Sequence, residues 1–245
     1  MSDAIQSCFR RYEKKYLLNE KQYEAMKNGM APYMEADKFS HYTICNIYYD
    51  TDDYRLIRAS LEKPVYKEKL RVRSYGTVQN GDPVFVELKK KYDGVVYKRR
   101  VTMKAADAAR WMRGGEPDKE GQIQREIDWF MRAYRPSPKV FIAYDREAYA
   151  GVENSELRVT FDTALRWREE ALDLRLGSGG QLLLPEDTVL MEIKIPGAAP
   201  LWLARLLSEN AIFSTSFSKY GAYYQNVLLG KKAGGHYQKE VLKSA

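Results

Sequence analysis

Charged and apolar residues alternate with a period of two in several separate stretches of this chain, and the charges are mostly basic. Lys69-Leu70-Arg71-Val72-Arg73 is the clearest. Phe85-Val86-Glu87-Leu88-Lys89, Tyr97-Lys98-Arg99-Arg100-Val101, Arg11-Tyr12-Glu13-Lys14-Lys15, Leu157-Arg158-Val159-Thr160-Phe161-Asp162 and Met191-Glu192-Ile193-Lys194-Ile195 repeat it, and Ala143-Tyr144-Asp145-Arg146 does so more loosely. In a strand, residues i and i+2 share a face, so each stretch predicts a strand with one apolar and one charged face. Further boundary signals complete the picture. Strands are expected over 9–17, 42–50, 66–75, 83–92, 95–103, 139–149, 156–164 and 188–195, with Asp93-Gly94 as a hairpin turn. Asn19 followed by Gln22 marks a helix start. Ile123, Ile127, Phe130 and Tyr134 form a helical stripe over 121–134, 104–113 is a second helix, and helices follow Pro200 and Ser218. Residues 52–60 read as a turn or short helix, and 165–187 as a loop.

The expected class is α+β: an antiparallel sheet of about eight strands closed into a tunnel with a cationic interior, and helices packed outside. The span 9–229 is expected to form a single domain, with a basic, poorly ordered tail over 230–245.

Composition narrows the partners. The net charge of +7 favours an anionic ligand, and 44% hydrophobic residues suffice for a core. Cys8 and Cys45 have no metal-ligand spacing and read as reduced packing residues. With only His41 and His236, a histidine-rich zinc site is excluded. The start of the chain has no signal-peptide apolar region, and no run approaches the about 18 apolar residues of a membrane span. A cytoplasmic protein is therefore expected. Nucleic acid is not the expected partner: most aromatic residues fall on apolar faces, and no recognition-helix motif is present.

Arginine forks and lysine point charges match phosphate oxygens, and carboxylates among them need a cation partner or a metal. Mg²⁺ and Mn²⁺ bind through one or two carboxylates plus substrate phosphates. Many cations with a few acids thus point to a metal–polyphosphate site, where phosphoryl transfer requires positioning and charge neutralisation. A solvated sheet face accounts for any single alternation, but not for so many together.

The ordered motifs Arg-x-Glu-x-Lys-Tyr (11–16), Ile-Tyr-Tyr-Asp (47–50), Lys-x-Arg-x-Arg (69–73), Val-Glu-Leu-Lys (86–89), Tyr-Lys-Arg-Arg (97–100), Tyr-Asp-Arg (144–146), Leu-Arg-Val-Thr-Phe-Asp (157–162), Met-Glu-Ile-Lys (191–194) and Phe-Ser-Lys-Tyr (217–220) resemble the VTC domain, within the triphosphate tunnel metalloenzyme (CYTH-like) superfamily. The resemblance implies an ATP:polyphosphate phosphotransferase, which adds the γ-phosphate of ATP to growing inorganic polyphosphate and releases ADP. Hydrolysis of tripolyphosphate or nucleoside triphosphate, and non-catalytic binding of polyphosphate or nucleotide, are the alternatives. Lys69, Arg71, Arg73, Lys89, Lys98, Arg146 and Arg158 are the expected catalytic phosphate grip. Arg11, Lys15, Arg100, Tyr144, Lys194, Ser218 and Lys219 are the expected substrate-binding residues, with Tyr144 at the nucleotide end and Lys219 at a helix start that favours anions. Glu192, Glu13 and Glu87 are the expected ligands of Mn²⁺ or Mg²⁺.

Two departures from the family pattern matter. Hydrolytic CYTH members open with Glu-x-Glu-x-Lys, and Arg11 replaces the first glutamate here, which disfavours a second metal and simple hydrolysis. Ser216 stands where polymerase domains carry a basic residue. A stand-alone, prokaryotic version is expected, since the phosphate-sensing and transmembrane parts of the eukaryotic complex are missing. Product translocation would then need a membrane protein partner.

Overall fold

The computed structural model describes residues 12–93, 95–117 and 121–230, apart from the side chains of 38 and 39. Arg11, Cys8, His236 and the basic tail lie outside the described residues. The elements follow as β1 (Tyr12–Leu18), α1 (Glu20–Met30), β2 (Met34–Asp50), α2 (Arg55–Leu61), β3 (Tyr66–Tyr75), β4 (Pro83–Tyr92), β5 (Val95–Lys104), α3 (Ala105–Trp111), α4 (Gln122–Tyr134), β6 (Ser137–Gly151), β7 (Arg158–Arg168), β8 (Gln181–Leu182), β9 (Val189–Ile195), α5 (Leu201–Glu209), α6 (Lys219–Tyr223) and a π-helical turn (Tyr224–Leu229). The strands form one sheet of nine in the order β1-β9-β7-β6-β2-β3-β4-β5, with β8 added to β7. Every pairing is antiparallel.

Period-two alternation sends the two halves of each strand's residues to opposite faces. On the convex face Leu70, Val72, Val86 and Leu88 pack with Trp111, Ile127 and Phe130 of α3 and α4. Val159, Phe161, Met191 and Ile193 pack there with Met26, Met30 and Leu203 of α1 and α5. Asn19 caps α1 as predicted: its Oδ1 accepts from the Gln22 backbone N–H at 2.9 Å, and the Gln22 side chain accepts from the Asn19 N–H at 3.2 Å.

Two features depart from the expected tunnel. Among the described residues the sheet does not close, and β1 and β5 remain its two edges. The reason lies at β1, whose outer edge is taken by the segment after α5. Thr215 donates its N–H to the Lys15 carbonyl at 2.7 Å in an isolated antiparallel bridge, where closure would need β5. Secondly, the concave face is not uniformly polar, nor are all helices outside. Ile44, Tyr48, Val140, Ile142 and Leu190 join Ile57 of α2, Tyr220 and Tyr223 of α6 and Tyr224 of the π turn in an apolar cluster. The charged part of the concave face lies beside this plug.

Asp50 ties the plug to the sheet. Fully buried, its carboxylate accepts the N–H groups of Thr51 (2.8 Å), Leu56 (2.9 Å) and Ile57 (3.0 Å) and the Tyr220 hydroxyl (3.0 Å). It thus serves the start of α2, whose own cap position, Tyr54, contributes no side-chain bond. Asp50→Ala strands these buried donors and should cost about 3 kcal/mol, read as a drop in the urea unfolding midpoint. A change within 0.5 kcal/mol, the usual size for a surface substitution, would contradict this role.

Candidate functional site

The strand registers place charges of opposite sign face to face on one side of the concave surface. Glu13 of β1 lies opposite Lys194 of β9, and Lys15 opposite Glu192. Arg146 of β6 lies opposite Asp162 of β7. Arg146 grips Asp162 with two parallel bonds, Nε to Oδ1 at 2.5 Å and Nη2 to Oδ2 at 2.7 Å, and reaches Glu192 Oε2 at 3.3 Å. From α6, the Lys219 ammonium enters the same knot, 2.6 Å from Asp162 and 3.4 Å from Glu192. Lys15 completes it, 3.5 Å from Glu192 and 3.6 Å from Glu13. Burial opposes ionisation of Glu192, yet Lys219, Lys15 and Arg146 outweigh it and hold its carboxyl well below the usual range. Burial likewise works against a charged Lys219, and Asp162 and Glu192 reverse that and raise its pKa.

Across the concave surface, β3, β4 and β5 carry a different pattern. Glu87, almost fully buried, is opposed by Arg71 on one side and Arg100 on the other. It accepts from Arg71 Nε at 2.8 Å and Arg100 Nε at 2.7 Å, and Lys98 lies 2.8 Å away. Two residues along the strands Lys69, Lys89 and Lys98 face each other directly across three strands; Lys98 reaches Glu87, whereas Lys69 and Lys89 oppose each other as like charges. Lys15 from β1 adds to the field at both Lys69 and Lys89, so the sheet curls far enough to bring its first strand towards β3 and β4. Burial first, then Lys67, Lys89, Lys15 and Arg71, lower the pKa of Lys69 to about 7. Burial also lowers Lys89, with Lys15 and Arg71 adding to it against the pull of Glu13 and Glu192. Like charges opposite one another destabilise a sheet, so this row carries a cost that an anionic partner would offset.

Most of the predicted grip therefore shares one concave surface: Lys15, Lys69, Arg71, Arg73, Lys89, Lys98, Arg100, Arg146, Lys194, Ser218 and Lys219. Four of the predicted residues have surroundings that alternation alone does not give. Arg158 is half exposed, at the rim, and pairs with Asp37 at 3.2 Å. Tyr144 is not open to a nucleotide. It is buried, its hydroxyl accepts from Arg73 Nη2 at 3.2 Å, and the Lys219 ammonium and the Arg146 guanidinium lie over its ring at 4.3 and 5.3 Å. Lys219 is the first residue of α6, behind the Ser218 cap as expected, but its ammonium points into two carboxylates. Glu87 is almost fully buried and bonded to Arg71, Arg100 and Lys98.

Three polar residues beyond the predicted set support the site. Asp162 holds Arg146 and Lys219; Asn46 Oδ1 accepts from Arg73 Nε at 2.9 Å; Tyr48 Oη accepts from Arg71 Nη1 at 3.4 Å. The alternation at Phe161-Asp162 gave the aspartate's face, whereas Asn46 and Tyr48 sit in an aromatic run with no charge pattern to mark them.

No cluster of three or more metal-ligating side chains forms among the described residues. Glu13 and Glu192, which Lys15 bridges, offer oxygen chemistry that suits Mg²⁺ or Mn²⁺. One or two carboxylates completed by substrate phosphates fit this pair.

The class of fold is a curled antiparallel sheet with a basic concave face and helices packed on it. Two solved structures share it. A candidate adenylate cyclase from Bacillus halodurans aligns with a TM-score of 0.52 at 12% identity, covering 84% of this chain and 92% of that one. A candidate adenylyl cyclase from Hippeastrum, described as having a dominant triphosphatase activity, aligns at 0.50 and 15%, covering 87% and 94%. Residues 10–228 match the VTC domain, and the chain belongs to that family. Vacuolar transporter chaperone complex subunit 4 of Schizosaccharomyces pombe is 24% identical over 221 residues, covering 72% of this chain. The chain spans 30% of the length of that relative.

Proposed function

We propose that residues 9–229 form a metal-dependent polyphosphate polymerase domain that moves the γ-phosphate of ATP onto a growing inorganic polyphosphate, releasing ADP. The observation that carries this reading is the lysine row Lys69–Lys89–Lys98, facing Lys15 across the concave surface. Cations opposed to cations on neighbouring strands fit a polyanion threaded between them better than any purely structural role. Membership of the VTC family, and the triphosphatase activity of the Hippeastrum protein, favour phosphoanhydride chemistry.

In this reading Lys15, Lys69, Lys89 and Lys98 neutralise the phosphate chain, while Arg71 and Arg73 supply forked donors. Glu87 keeps Arg71 and Arg100 aimed, as Asp162 keeps Arg146. Glu192, with Glu13, would hold Mg²⁺ or Mn²⁺, which when bound screens the charge developing between transferring phosphates. Lys15 must then give up its bridge between these carboxylates and turn to phosphate. No helix among the described residues is long and apolar enough to cross a membrane. Passage of product across one would need a membrane protein partner.

Pure protein incubated with ATP and Mn²⁺ should yield a ladder on a polyphosphate-stained gel that lengthens with time, and Glu192→Ala should abolish it. Free phosphate without a ladder would replace the polymerase by a hydrolase on the same surface. Metal-independent binding without turnover, unchanged in Glu192→Ala, would leave a binding module.

A further inference from the structure

Chain growth from ATP needs a first acceptor, and the site contains a hydroxyl placed to be one. Ser218 sits where the chain leaves the β1 edge and enters α6, in extended backbone with φ −135° and ψ 119°. Lys15 holds the preceding carbonyl, its Nζ donating to Phe217 O at 3.0 Å. The Ser218 Oγ is 3.0 Å from Lys69 Nζ, a contact between residues 149 apart in the chain. Its other bond, accepting the Gly221 N–H at 3.3 Å, is the longer of the two. A cap needs only that second bond. The approach of Lys69 from β3, at the head of the lysine row, needs a different account.

We propose that Ser218 is a phosphoryl acceptor, a protein-bound primer on which the first phosphate is laid, with Lys69 as the base that takes its proton. The inference rests on the polymerase reading for its donor, ATP. A bond forms between Ser218 Oγ and the γ-phosphorus, and the bond from that phosphorus to the β,γ-bridging oxygen breaks, so ADP leaves with the electron pair. The hydroxyl proton passes to Lys69 Nζ. Hydroxyl and base lie within hydrogen-bonding distance, the usual arrangement for activating a weak nucleophile. Burial and the surrounding cations leave Lys69 partly neutral near pH 7, so the hydrogen bond can reverse and the hydroxyl can donate to the amine. Arrival of the triphosphate raises the basicity of Lys69 when the proton has to move. Lys15, Lys89 and Lys98 take the charge of the phosphoryl group in transit.

The test is intact mass and peptide mapping of the full chain after incubation with ATP and Mn²⁺, run beside the polyphosphate gel. Whole phosphoryl increments on the peptide containing Ser218 are expected. Ser218→Thr keeps hydroxyl and cap and should be labelled. Ser218→Asn keeps a good capping side chain without a hydroxyl, and should fold yet stay unlabelled. Lys69→Met should slow labelling by about 100-fold. Free chains on the gel with no phosphate on Ser218 would overturn the primer and leave the polymerase standing. A single phosphoryl group on Ser218 with no chains, free or attached, would uphold the acceptor and remove the polymerase. Neither label nor chains would remove both.

Discussion

Asp162→Asn should lower stability by about 3 kcal/mol, and inorganic tripolyphosphate should restore more stability to this variant than it adds to the parent. The carboxylate is fully buried and carries Arg146 and Lys219, themselves almost enclosed, at 2.5–2.7 Å. Removing one partner of a buried ion pair leaves uncompensated charge, typically at a cost of about 3–5 kcal/mol. Asparagine preserves the shape, so cavity formation does not enter. With Asp162 neutral, Arg146 and Lys219 keep only Glu192, which Lys15 also claims. An anion then finds two underemployed cations. Thermal melts with and without tripolyphosphate provide the measurement. Equal ligand-induced shifts in variant and parent would mean the anion does not reach this side of the concave surface.

The double change Lys69→Met, Lys89→Met should do the reverse: a more stable empty protein that binds polyphosphate about 100-fold more weakly. Two opposed buried ammonium groups repel, so their removal relieves the sheet. Each lysine lost takes with it a charged hydrogen bond worth about 1.5–3 kcal/mol, and even part of that in each case reaches two orders of magnitude. Stability gained together with binding lost is the signature of residues kept for function. A pH profile separates this from simple packing. The folded pKa of Lys69, about 7, lies below that of an unfolded lysine, so its penalty on folding is full below about pH 7 and is relieved as pH rises towards the unfolded value. The parent should therefore gain stability over Lys69→Met, Lys89→Met across that window. Polyphosphate binding should take up a proton in the same window, so affinity falls as pH rises above 7. Calorimetry in buffers of different ionisation enthalpy reads that uptake directly. No buffer dependence at pH 8 would place the anion away from Lys69.

The charged strands were legible because burial on one face forces strict alternation. β3 and β4 fall on their predicted residues, 66–75 and 83–92, and β5 differs by one at its end. The α1 cap was legible through the Asn19/Gln22 pair, and α4 through its apolar stripe. β2 was harder to delimit. It begins at Met34, well before the predicted 42, because 34–41 is a strand extension whose register shifts between Ala36 and His41 and whose sequence has no apolar alternation. β7 runs on to Arg168 beyond a register shift near Ala143/Asp145, which breaks the period-two pattern that would have extended it. The site was legible as a set of charges but not as a set of pairings. Alternation assigns Glu87 and Glu192 to the concave face alike. Only cross-strand register reveals that Glu87 is bonded to Arg71, Arg100 and Lys98, while Glu192 meets Arg146 and Lys219 and shares Lys15 with Glu13. The surroundings of Tyr144 were hidden for the same reason: one residue's face does not reveal that two cations lie over its ring while a third bonds its hydroxyl. Closure, too, depends on which segment reaches the β1 edge, and periodicity is silent on that.

The β1 edge has a mechanical consequence. Because Thr215 rather than β5 occupies it, the walls carrying Lys15 on one side and Lys69 with Lys89 on the other are not fastened to each other by a ladder of backbone bonds. If the groove threads polyphosphate as proposed, repulsion between its ammonium groups would widen it and the anion would draw its walls together, a charge-driven clasp whose gape would depend on cargo and on ionic strength.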